Sequence, residues 1–241
     1  MSVQLIENNA SQSVKITKNS ALMALLFLAP IPSIGVWFAA YGQQGTLGSL
    51  IWTAAKVSLL LGPAVFWFFI QRQPIRFPRV SLNGVGVGAA TAALLAIIIF
   101  SAYWFIARPY MSFEAMQSLL LSAGIDSVTK YIVLVMYLTI INSLIEEYVF
   151  RWFFMTQLKQ FVPGLWAVLL SAIIFTVHHT VVLTAYLPWY FNLLASLGVF
   201  TGGLLWSYLY HRYQSIWPCY VSHIGADIGV FVAGYFALFV S

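Results

Sequence analysis

Seven apolar runs, each long enough for a membrane crossing, constrain this chain more than any other feature: roughly 21–41, 49–70, 84–107, 130–152, 164–184, 187–210 and 215–240. A helix needs about 20 mainly apolar residues to cross about 30 Å of hydrocarbon. The composition agrees: 61% of the residues are hydrophobic and 7% are charged, whereas a soluble domain carries about 25% charged residues. The expected fold is all-α: a polytopic transmembrane bundle of seven spans. An additional helix is expected over 111–124, where apolar residues recur at near-helical spacing, and it lies along the membrane surface or dips into it.

The formal net charge of +5 rests on 11 basic residues at span ends, not on a basic strip with interleaved aromatics. Nucleic acid is therefore excluded as a partner, and topology accounts for the charge. With the N-terminus in the cytoplasm, that side holds Lys15, Lys18, Arg72, Arg76, Arg79, Arg151, Lys159 and Arg212, while the far side holds Arg108 and Lys130. This asymmetry is the positive-inside pattern. Lys56 falls inside the second span, where it either snorkels or faces the bundle interior.

The first apolar run exceeds the 7–15 residues of a signal-peptide core and lies behind mostly polar residues, so it is kept as a span. A chain without a targeting segment fits a prokaryotic plasma membrane. Residues 71–79, with three arginines and two prolines, read as a loop. Cys219 is the single cysteine, which excludes a disulfide within the chain and is best read as a small buried residue. Glycines spaced by four (Gly84 and Gly88, Gly198 and Gly202, Gly225 and Gly229) are expected at close helix contacts. With no repeat and no linker, residues 1–241 form one membrane domain.

Ionisable groups deep in a membrane are expensive and mark function by default. Here they gather in three spans: Glu146, Glu147 and Arg151, with the polar Asn142, in the fourth, His178 and His179 in the fifth, His223 and Asp227 in the seventh. Glu147 and Arg151 are four apart, the spacing of an ion pair. Glu146 points about 100° away and remains free for chemistry. Adjacent histidines cannot face the same way on one helix, and spacing alone does not choose between them. His223 and Asp227 share a face. Each motif alone has a plainer explanation, as a structural ion cluster or as hydrogen bonding between helices. Together they supply a general base, a partner that positions water, and donors for an oxyanion. The same residues would also serve as zinc ligands.

These motifs resemble those of the CAAX endopeptidases and the bacteriocin-processing or Abi proteins, the CPBP intramembrane proteases. The Glu-Glu pair followed by Phe150-Arg151, then Phe175 with His179, then His223 with Asp227 match that family's signature in order, over about 130–235. The resemblance selects His179 over His178. It implies that Glu146 activates the attacking water, His179 assists, and His223 with Asp227 stabilises the oxyanion, with Glu147, Arg151, Phe175 and Asn142 in support. Family members commonly carry asparagine at the Asp227 position. An aspartate donates poorly unless protonated, so Asp227 is expected to orient His223 or to bind a metal.

The mechanism expected is metal-free, with no cofactor. If zinc is used, Glu146, His179, His223 and Asp227 are its expected ligands. The partners expected are a peptide or membrane-protein substrate and the lipid bilayer.

Two other functions fit the composition: a proton-coupled transporter, which would be built from paired halves that are not found here, and an inactive scaffold or immunity protein of the same fold. A bis-histidine haem protein is disfavoured by the position of His211 at a span end. One structural expectation follows from depth. His179 lies about 22 Å of helix from Gly164 at about 1.5 Å per residue. Glu146 reaches that depth only if its helix runs unbroken from about 130 to 160.

Overall fold

Inside hydrocarbon a backbone amide finds no water, so each apolar run must satisfy its own hydrogen bonds, and a single run can do so only as a helix. The computed structural model describes residues 15–41, 46–74 and 81–240. Among these there is no strand. Seven helices are long and apolar enough to cross a membrane: α1 Lys18–Phe38, α2 Leu47–Ile70, α3 Val85–Ala107, α5 Val128–Leu158, α6 Gly164–Tyr186, α7 Trp189–Tyr213 and α8 Trp217–Val240. The short α4, Glu114–Ser122, lies where the additional helix was expected. Arg76 and Arg79 of the expected 71–79 loop lie outside the described residues, as do residues 1–14.

The bundle is turned inside out relative to a soluble protein. Leu26, Phe27, Phe69, Ile97, Leu165 and Leu193 are all more than half exposed, which is an apolar exterior suited to lipid. The interior gathers Val149, Phe150, Phe153, Phe154, Phe175, Trp206 and Cys219 around the polar groups described below. Cys219 is fully buried, and its thiol donates to the Trp206 carbonyl at 3.1 Å.

Helix α5 is the long element that depth demanded. It starts at Ser127, whose side chain accepts from the Lys130 amide, and runs 31 residues to Leu158. Glu146 therefore lies well inside the helix, not near its end as the shorter 130–152 span implied. The helix is not uniformly wound. Wide π-helical stretches, Tyr137–Asn142 and Glu147–Phe154, flank one α-turn, Ser143–Glu146. Such irregular winding inside a helix frequently accompanies a functional site, and here it brackets the turn that carries Glu146.

Helices α3 and α8 cross closely, and Gly88, Gly225 and Gly229 line the crossing. A Cβ on Gly88 would overlap the Pro218 backbone, and one on Gly225 or Gly229 would meet Ala92 or Ala96. Backbones this close align Thr91 of α3 with Ser222 of α8, at 2.9 Å. The remaining glycines behave otherwise. Gly198 faces open space, Gly202 meets Trp206 of its own helix, and Gly84 takes a left-handed φ of 83° ahead of α3. Helix α5 is held to α8 by the Tyr131 hydroxyl donating to Phe231 and the Tyr220 hydroxyl donating to Ile140, at 2.8 and 2.9 Å.

Candidate active site

Helices α5, α6 and α8 bring every expected site residue into one cluster. The α5–α6 and α7–α8 turns lie at the same end of the bundle, since each pair of helices is antiparallel. Measured from that end at about 1.5 Å per residue, Glu146 is about 18 Å along α5 and His179 about 22 Å along α6. The two therefore meet.

Glu146 is 9% exposed and sits at the centre. Its Oε1 accepts from Asn142 Nδ2 at 2.9 Å and lies 3.7 Å from His178 Nε2, while its Oε2 lies 3.7 Å from His223 Nε2. His178, which the motif passed over, thus stands beside the carboxylate. The two histidine rings are 4.0 Å apart. The expectation that adjacent histidines cannot face the same way does not keep them from a common group, because each imidazole reaches far enough from its Cα to bring a ring nitrogen near the Glu146 carboxylate. One ligand atom from each of Glu146, His178 and His179 falls within a span of 4.8 Å. That trio shares Glu146 and His179 with the four residues expected and adds His178, while His223 Nε2 lies 3.7 Å from Glu146 Oε2 and 3.8 Å from Asp227 Oδ1.

The histidines are not equivalent. His179 Nδ1 contacts the Phe175 carbonyl at 2.9 Å. A carbonyl only accepts, so Nδ1 carries the proton and, in the neutral ring, Nε2 keeps its lone pair. Phe175 also packs against His179, with ring centroids 4.3 Å apart, so one residue sets both tautomer and tilt. His178 lies flat on Phe150, and its buried Nδ1 has no hydrogen-bond partner among the described residues.

Glu147 is fully buried and faces the other way. Its Oε1 accepts from His223 Nδ1 at 2.8 Å, and its Oε2 lies 3.2 Å from Arg151 Nε. The ion pair expected from the four-residue spacing is present, although Arg151 Nε makes no aligned hydrogen bond. The Arg151 guanidinium is wedged instead against the rings of Phe175 and Trp206, at 4.4 and 5.3 Å. Trp206 in turn stacks on His223 at 4.0 Å and donates to Ser222 at 3.0 Å. His223 is thereby held on one face by an indole and at Nδ1 by a carboxylate, with Nε2 directed at Glu146 and, at 3.8 Å, at Asp227.

Asp227 shares a face with His223 as its spacing predicts. Its other oxygen meets Ser143 Oγ at 2.5 Å, and that hydroxyl also lies 2.9 Å from the Leu138 carbonyl. One hydroxyl hydrogen serves one acceptor at a time, so Ser143 is shared between the carboxyl group and its own helix. Ser143 and Trp206 escaped sequence reasoning because serine and tryptophan are ordinary in membrane helices. His178 carried a signal, its neighbour, that periodicity could not interpret.

A multi-pass membrane protein with a carboxylate and three imidazoles gathered between three helices is the class this arrangement defines. Residues 128–229, which contain all the site residues from Asn142 to Asp227, match the family model described as type II CAAX prenyl endopeptidase, Rce1-like. Over this segment, 102 of the 241 residues, the chain is similar to that endopeptidase family. No curated protein and no solved structure matches the chain.

Proposed function

We propose that the chain is an intramembrane endopeptidase in which Glu146 activates the water that attacks a peptide carbonyl. The observation that carries this reading is the unequal treatment of two neighbouring carboxylates. Glu147 is committed to Arg151 and His223, whereas Glu146 is presented to three imidazoles with its Oε2 hydrogen-bonded to none. A buried carboxylate held this way is suited to general-base work. His179, with its Nε2 lone pair facing inward, helps to hold the water. His223 stabilises the oxyanion when Nε2 bears a proton, its charge offset by Glu147 on the opposite nitrogen. The site opens to the cytoplasmic side under the orientation set by the basic residues, and the CAAX branch implies prenylated C-terminal tails as one substrate class.

Glu146, His178 and His179 would also hold a divalent cation, which would supply Lewis-acid polarisation and a more acidic bound water. The metal-free reading rests on the chain's own supply of base and donors. The test compares membrane proteomes from cells carrying the wild type or Glu146→Ala. Fragments found only with the wild type are expected, and their formation is expected to survive chelators. Identical fragment sets would favour a scaffold, and activity lost on zinc removal and restored by zinc would overturn the metal-free mechanism.

Asp227→Asn is expected to keep cleavage within about tenfold, because an amide donates to Ser143 or to an oxyanion without needing a proton. Asp227→Leu should cost about 10–100-fold, the usual loss when a group that orients a site histidine is removed. The initial rate on a substrate from the proteome comparison reads both. An asparagine variant as inactive as the leucine one would show that the carboxyl group itself is required.

A further inference from the structure

Lys56 stands at mid-length in α2, outside the family-matched segment 128–229. A lysine this far inside a membrane helix needs a partner. It does not snorkel outward. Its Nζ donates to Asn142 Oδ1, and Asn142 Nδ2 donates to Glu146 Oε1 at 2.9 Å. Nζ also lies 5.6 Å from the centre of the Trp52 ring, one turn away on the same helix.

The chemistry of this chain of three residues has one solution. The two ends of an asparagine amide have nearly the same shape, so packing alone does not orient it. An ammonium only donates, so only Oδ1 can face Lys56. A carboxylate only accepts, so only Nδ2 can face Glu146. With both ends occupied, the amide is locked, Glu146 Oε1 is fixed as an acceptor, and Oε2 is left toward His223. A cation two hydrogen bonds away also offsets the carboxylate's charge in a region where an uncompensated charge is costly.

We propose that Lys56 is a positioning residue that acts through Asn142 to fix the orientation of the Glu146 carboxylate. Its kinetic consequence rests on the peptidase reading above, whereas its structural consequence does not.

The test uses the full chain in lipid bilayers as wild type, Lys56→Met, Lys56→Arg, Asn142→Leu and the Lys56→Met/Asn142→Leu double variant. Solid-state NMR with ¹⁵N-asparagine and ¹³C-glutamate should show an Asn142 Nδ2–Glu146 Cδ contact in the wild type, identified by its loss in Asn142→Leu. The contact should persist in Lys56→Arg and disappear in Lys56→Met. Lys56→Leu, which carries no donor, should also lose it and serves if the methionine variant fails to insert.

On a cleaved substrate, Lys56→Met should lower kcat by about 10²-fold, the usual cost of a misplaced catalytic group, with KM within about twofold. The double variant should be no slower than the slower single one, because both changes break the same connection. Persistence of the contact in a folded Lys56→Met or Lys56→Leu chain, or additive kinetic losses, would overturn the proposal. If the wild type cleaves nothing, the peptidase reading falls, and the NMR contact still decides the role of Lys56.

Discussion

Glu146→Gln is expected to leave a folded, membrane-inserted chain whose cleavage rate falls by about 10³-fold or more, within the upper range for loss of a general base. Glutamine keeps the shape of the side chain and its acceptor oxygen toward Asn142, so packing is preserved while the basic oxygen is lost. The neighbouring Glu147→Gln should act differently. It weakens the hold on His223 Nδ1, an orienting contact whose loss typically costs about 10–100-fold, and it leaves Arg151 with less compensation. The measurement is initial rate beside thermal unfolding for both variants. Equal rate losses with equal destabilisation would remove the distinction between a reacting carboxylate and a structural one, and with it the proposed mechanism.

The second large effect concerns stability. Arg151 and Glu147 are both fully buried, and Arg151→Met removes the cation while leaving the carboxylate in place. Breaking a buried pair from one side costs about 3–5 kcal/mol, since the remaining charge is stranded. The rings of Phe175 and Trp206 lose their cation as well, which adds to the cost. Arg151→Lys should rescue poorly, because an ammonium lacks the flat guanidinium that lies against those rings. Arg151→Met/Glu147→Gln should recover much of the stability by removing both charges, though not the activity. Unfolding in bicelles, read by steric trapping, checks all three. A loss under about 1 kcal/mol for Arg151→Met would place the pair among ion pairs of little energetic weight.

Much of the fold was legible because lipid leaves a backbone few choices. A run such as 164–184 has to be a helix, and helix length then follows from membrane thickness. Depth allowed one further step: the need for Glu146 to meet His179 required a helix continuing to about 160, and α5 ends at Leu158. The site was legible in part for a related reason. Charged residues are rare enough in apolar spans that Glu146, Glu147, Arg151, His223 and Asp227 identify themselves, and the four-residue spacings pair Glu147 with Arg151 and His223 with Asp227.

Other features depended on packing between helices, which no periodicity encodes. Gly198 looks like Gly225 in sequence, yet only Gly225 meets another backbone. His178 and His179 diverge on a helical wheel, yet both bring a ring nitrogen near the Glu146 carboxylate of the neighbouring helix α5. Ser143 and Trp206 carry no unusual signal at all.

The sequence by itself therefore determined a multi-pass helical membrane protein with an Rce1-like motif set, because hydrophobic length and the cost of buried charge are local properties. Tertiary structure alone decided which oxygen faces which nitrogen. The orientation of Glu146 depends on contacts from α5, α6 and α8 at once, and on Lys56 of α2, whose partner lies 86 residues away along the chain.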